Sequence, residues 1–167
     1  MWRIPLADID LGPAEEEAVL QVLRSGWLTM GQVTEQFEAE FAAMTGAGHA
    51  IAVTNCTAAL HLAGMALGGK PGDEVILPSL TFVATANAVR YTGATPVFAD
   101  ITSESDFSIS PTAIAAQITP RTRAIIVVHY AGYACDMDAI LALAAEHGLE
   151  VVEDVAHAPA AELNGRV

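Results

Sequence analysis

The sequence has 167 residues, enough for one domain with a real core, and carries seven Lys and Arg against twenty Asp and Glu, a formal net charge of −13. That balance excludes the basic footprint of a nucleic-acid binder and disfavours an anionic membrane surface, while a local anion site built from backbone N–H groups stays open. Hydrophobic residues make up 53% of the chain and charged residues 16%, so either strands are buried on both faces or a second subunit or further segment covers apolar surface. Cys56 and Cys135 do not make a disulfide framework, Met1 to Pro5 lack a secretion pattern, and no apolar run reaches membrane-spanning length, so a cytoplasmic protein is expected.

Residues 1–12 read as extended, with a turn around Asp8 to Gly12. Pro13 opens a helix whose first turn holds Glu15, Glu16 and Glu17, and whose apolar face is Val19, Leu20, Val22 and Leu23; it stops near Ser25-Gly26. Trp27 to Gly31 is a loop with groups suited to ligand contact, although Trp27 can equally plug a core edge. Thr34 is expected to cap a second helix with Phe37, Phe41 and Met44 on one face, closed by Gly46-Ala47-Gly48. Residues 1–47 therefore form an N-terminal helical segment.

Residues 48–167 alternate between strand and helix patterns. Strands are predicted at His49–Thr54, Glu74–Leu77, Thr95–Ala99, Arg123–Val128 and Leu149–Val152. Helices are predicted at Thr57–Leu67, Phe82–Tyr91, Ser110–Gln117 and from Asp136 to Glu146. This order implies α/β architecture, a mostly parallel sheet with helices on both faces. The pattern holds no repeat, linker or internal boundary, so a single domain is expected. Its end, Asn164-Gly165-Arg166-Val167, reads as a turn leading into another strand, so the domain looks incomplete.

Four junctions carry polar or aromatic groups. The chain is organised around Val151 to Ala158, where an apolar run ends in Glu153-Asp154 and His157 follows; open α/β sheets place ligand groups at such strand ends. Thr57 and Ala58 open a helix whose free N–H groups, with the Thr57 hydroxyl, suit a phosphate. Phe82 stands where an aromatic can stack on a flat ring. His129 and Tyr130 follow a buried strand. Each alone has an ordinary explanation: a strand end, an N-cap, a core ring, a structural histidine. Together they describe a site for a phosphorylated, cationic aromatic ring, and pyridoxal phosphate is such a molecule.

The ordered series Gly26-Trp27-Leu28-Thr29-Met30-Gly31, Asn55-Cys56-Thr57-Ala58-Ala59-Leu60-His61, Pro71-Gly72-Asp73-Glu74-Val75-Ile76, Thr81-Phe82-Val83-Ala84-Thr85-Ala86-Asn87, Gly93-Ala94-Thr95-Pro96-Val97-Phe98 and Glu153-Asp154-Val155-Ala156-His157-Ala158 resembles the DegT/DnrJ/EryC1/StrS sugar aminotransferases. The resemblance implies the N-terminal part of the large domain of a fold-type-I pyridoxal-phosphate enzyme. It implies that Thr57 and Ala58 hold the cofactor phosphate, that Phe82 stacks on the ring, that Asp154 pairs with the ring nitrogen, and that His157, where the family usually has Gln, meets the ring hydroxyl. Cys56 stands where the family usually has Gly. A homodimer is implied, acting on a keto sugar, nucleotide-linked, with an amino acid such as glutamate as donor.

The family's Schiff-base lysine lies beyond the Glu-Asp motif. Lys70 is the sole lysine of this sequence, on a turn, and is not expected to replace it. The sequence therefore admits three readings: an aminotransferase, a pyridoxamine-dependent sugar dehydratase of the same family, and a truncated chain that binds without turnover.

Overall fold

A computed structural model describes residues 9–165, so the expectations for residues 1–8 and 166–167 lie outside the described residues. The chain divides after Ala52 into two compact units.

The first unit carries α1 (Pro13–Ser25) and α2 (Gln32–Thr45). Pro13 needs no N–H partner at the first helical position, and the Glu15 carboxylate accepts the Gly12 N–H at 2.8 Å. Both helices end on glycines in the left-handed region, Gly26 (φ 72°) and Gly46 (φ 69°). Gly31, not Thr34, is the N-cap of α2, and Thr34 sits inside its first turn. The loop between them is closed by its own tryptophan: Trp27 Nε1 donates to the Met30 carbonyl at 3.0 Å, and a Cβ on Gly31 would fall 2.4 Å from that nitrogen. Neither helix has a buried residue. The expected strand at His49–Thr54 is absent, because strand geometry persists only with a ladder partner and none of the described strands pairs there. Within this unit the Glu38 carboxylate accepts the Ala52 N–H at 2.7 Å.

The second unit contains a parallel sheet of order β2-β1-β5-β6, formed by Thr95–Ala99, Glu74–Pro78, Thr122–Val128 and Glu150–Asp154. Strand alternation gives it two dry faces. On one, Ile76, Ile125 and Val127 pack with Ile114 of α5 (Pro111–Gln117) and Ile140 and Ala144 of α6 (Met137–His147). On the other, Leu77 and Ile126 pack with Val89 of α4 (Val83–Tyr91), and α3 (Cys56–Ala66) lies against α4. Ser110 and Asp136 cap α5 and α6 through their side chains, accepting from Ala113 and Ala139.

A hairpin absent from the sequence reading, β3 (Ile101–Ser103) with β4 (Asp106–Ile109), joins β2 to α5. Its strands are too short for alternation to show. Among the described residues no helix is long and apolar enough to cross a membrane.

Candidate active site

From β1 the chain moves outward to β2, then returns to the other side of β1 for β5 and β6. This reversal creates the crevice at the carboxyl ends of the strands where α/β sheets bind ligands. The loops after β1, β5 and β6, which carry Phe82, His129 and His157, all leave from that end. Lys70 lies at the amino end of β1, the far end of the sheet.

Asp154 closes β6 and is 6% exposed. Its Oδ1 accepts the Ala156 N–H at 3.1 Å and the Cys56 thiol at 3.7 Å; its Oδ2 accepts the Thr85 hydroxyl at 3.3 Å. Thr85, fully buried on α4, stands 2.8 Å from the Thr81 hydroxyl. Burial, and then the negative charge of Asp154, push the Cys56 thiol up from its ordinary pKa of 9.0, so it remains a donor. No ion pair to Asp154 forms among the described residues.

Asn55 is the N-cap of α3 and accepts the Ala58 N–H at 2.9 Å through its side-chain oxygen. The sequence reading took that N–H as free; the structure shows it engaged, because Asx side chains satisfy N-terminal donors whenever they are available. Phe82 is the N-cap of α4, 71% exposed. His157 is exposed; its Nδ1 accepts the Ala131 N–H at 3.3 Å and its ring meets Tyr130 edge-on at 5.5 Å. Tyr130 begins a single 3-10 turn, Tyr130–Gly132, in which Ala131 holds φ 55°, a strained conformation for a residue with a Cβ. The structure thus ties Asp154 to α3 and α4, and His157 to the turn after β5.

Glu153 points to the other face. Its Oε2 lies 3.0 Å from Nε2 of buried His129, and this bond, against burial, holds the carboxyl below its ordinary 4.5. The Cys135 and Glu153 side chains favour a proton on the His129 ring, and burial opposes a charge there. The Cys135 N–H, however, donates to Nδ1 at 3.1 Å, and the Cys135 thiol donates to the Val128 carbonyl at 3.4 Å. Protonating Nδ1 would set one buried donor against another, so we take the ring as neutral, with its proton on Nε2 toward Glu153.

Sequence reading missed Thr85, the role of Cys56 and the His129–Glu153 pair. These contacts join residues 69, 98 and 24 positions apart, and no local pattern marks them.

A family model described as the DegT/DnrJ/EryC1/StrS aminotransferase family matches residues 10–167. The spore coat polysaccharide biosynthesis protein SpsC of Bacillus subtilis (strain 168) is 56% identical over 157 residues, 94% of this chain and 39% of SpsC. Among solved structures, S. venezuelae DesV in complex with a ketimine intermediate superposes with a TM-score of 0.86 at 46% identity, over 90% of this chain and 40% of DesV. The PLP-form of the sugar aminotransferase Spr1654 from Streptococcus pneumoniae, described as putative in its own name, gives 0.86 at 32% identity, over 94% of this chain and 44% of Spr1654. The chain spans about two fifths of the length of these relatives, and its fold is that of fold-type-I aminotransferases.

Proposed function

Because the chain belongs to the DegT/DnrJ/EryC1/StrS aminotransferase family, we propose that it supplies the cofactor-holding part of a pyridoxal 5'-phosphate-dependent sugar aminotransferase. The reaction moves an amino group from an amino acid such as glutamate to a keto sugar carried on a nucleotide. The enzyme works in the cytoplasm as a homodimer, with small molecules as its substrates.

One observation carries this reading. Asp154 is 6% exposed and is held by three donors, yet forms no ion pair with a cationic side chain among the described residues. A buried carboxylate without a counter-charge is costly, and such groups concentrate where a ligand supplies the missing charge. A protonated pyridine nitrogen has that charge and fits that acceptor, so the donor set agrees with the cofactor. When bound, the cofactor supplies an electron sink for breaking bonds at the amino-bearing carbon.

The chain's own residues then have separate tasks. Asp154 keeps the proton on the ring nitrogen. Phe82, exposed and presented at the start of α4, covers a ring face and excludes water from it. Thr57 and Ala58 hold the phosphate at the start of α3, Ala58 exchanging its Asn55 partner for it. His157, with Nδ1 occupied by Ala131, has Nε2 for the ring hydroxyl.

The test uses the protein expressed from its complete reading frame and loaded with pyridoxal phosphate. Glutamate should convert the absorbance of the aldehyde form to that of the amine form, and a keto sugar nucleotide should leave as its amine. A deoxygenated product would move the reading to a sugar dehydratase. No spectral response to any amino donor would end it.

A further inference from the structure

The Asp154 carboxylate can be read one oxygen at a time. An ionised carboxylate offers about four lone-pair positions, two on each oxygen. Oδ1 is filled by the Ala156 N–H and the Cys56 thiol. Among the described residues Oδ2 takes only the Thr85 hydroxyl, so one position remains, on Oδ2.

The direction of the hydroxyl chain follows. A carboxylate accepts and cannot donate, so Thr85 spends its one proton on Asp154. In the 2.8 Å contact with Thr81, Thr85 can then only accept, and Thr81 must donate. The chain Thr81 to Thr85 to Asp154 is therefore polarised one way, in a place where Thr85 is fully buried and water cannot substitute.

We infer that Thr85, backed by Thr81 and opposed by Cys56, is a positioning residue that fixes Asp154 so that the open lone pair of Oδ2 is the one that receives the cofactor's ring nitrogen. The inference rests on the proposed cofactor reading and goes further by assigning the receiving atom and the groups that select it. Without Thr85, Oδ2 has two open positions and the carboxylate loses the restraint that distinguishes its oxygens. A hydroxyl that merely satisfied the core would affect stability and nothing else.

The experiment compares two ligands on the protein from its complete reading frame: pyridoxal phosphate, and the analogue whose ring nitrogen is replaced by carbon. Dissociation constants come from equilibrium dialysis, and thermal midpoints are taken without ligand. Thr85→Val keeps the shape and removes the donor. It should weaken pyridoxal phosphate roughly tenfold, the scale of a hydrogen bond to a charged group, and leave the carbon analogue unchanged. Thr85→Ser should restore binding. Cys56→Ala should give a smaller loss of the same selectivity, roughly two- to threefold, because sulfur is a weak donor.

Equal losses for both ligands, or none for either, would overturn the inference. If Thr85→Val does not fold, Thr81→Val, at a half-buried position, carries the same comparison with a smaller expected loss. Asp154→Ala separates the two levels. If it binds pyridoxal phosphate as the parent protein does, the cofactor reading itself has failed. If it loses binding while Thr85→Val shows no selectivity, only the positioning role has.

Discussion

Two pairs of adjacent acids sit at opposite ends of one parallel sheet and are treated differently. At the amino end, Asp73 and Glu74 are 6% and 7% exposed. Asp73 pairs with Arg123 at 3.2 Å, while Glu74 is gripped by Arg121 and the Thr119 hydroxyl. At the carboxyl end, Asp154 is as deeply buried but among the described residues has only neutral donors, and Glu153 has a neutral imidazole. Burial is matched for Asp154, not for the exposed Glu153, and neutralisation is not matched for either. The amino end is neutralised by the chain's own arginines; the carboxyl end has no counter-charge among the described residues, which is what the proposed cofactor would supply. A buried acid therefore says little about function until its counter-charge has been accounted for.

The sharpest way to break this comparison is to exchange the two ends. Asp154→Ala should reduce affinity for pyridoxal phosphate by roughly 30- to 4,000-fold, as truncating one member of a buried charged pair does. It should change the ligand-free thermal midpoint little, the loss of an uncompensated charge offsetting the donors left without an acceptor. Glu74→Gln should do the reverse, lowering the midpoint and sparing affinity. If both variants lose both properties, the two ends are not distinct.

Core damage between the ends should resemble neither. Ile125, fully buried at mid-strand in β5, should lose about 2–5 kcal/mol of stability on change to Ala. Folded molecules of that variant should keep their affinity, as denaturant unfolding and dialysis together will show.

Acid should act at the finished end. The Thr119 hydroxyl above all, then Arg121, hold the Glu74 carboxyl below its ordinary 4.5. A depressed folded-state pKa means that the stabilisation is complete above the unfolded value and is lost as pH falls through the folded one. Thermal midpoints measured down the acid limb should therefore fall below about pH 4.5, less steeply in Glu74→Gln. An unchanged slope would detach Glu74 from acid stability.

The smallest effect concerns the turn behind His157. Ala131→Gly relieves a positive φ and should raise stability by at most about 1 kcal/mol, glycine's greater unfolded-state entropy offsetting part of the gain. A loss of stability instead would mean that the Ala131 side chain supports the turn.

Much of the architecture was legible because its signals are local. Arg123 to Val128 reads as a doubly covered strand and is one, with Ile125 and Val127 on one face and Ile126 on the other. Asp136 and Gly148 bracket α6 as caps should. His49–Thr54 misled because its apolar content describes a strand's side chains but supplies no partner, and Ile51 is 80% exposed. At the site, Asp154 and His157 were visible as residue types at a strand end. What was not visible is what holds them: Thr85 reads as one small helical residue among several, and Cys56 as a tolerated substitute for glycine.

The Asn55 cap has a consequence of its own. With its side chain on the Ala58 N–H, α3 begins with one of its leading donors already satisfied. Phosphate arriving there would replace an acceptor instead of filling a gap, so its contribution is the difference between a dianion and an amide oxygen at one N–H, a fraction of the gross bond strength. On the proposed reading the helix end would keep its shape with or without phosphate, with Asn55 as an understudy, and discrimination would fall to the other end of the ring.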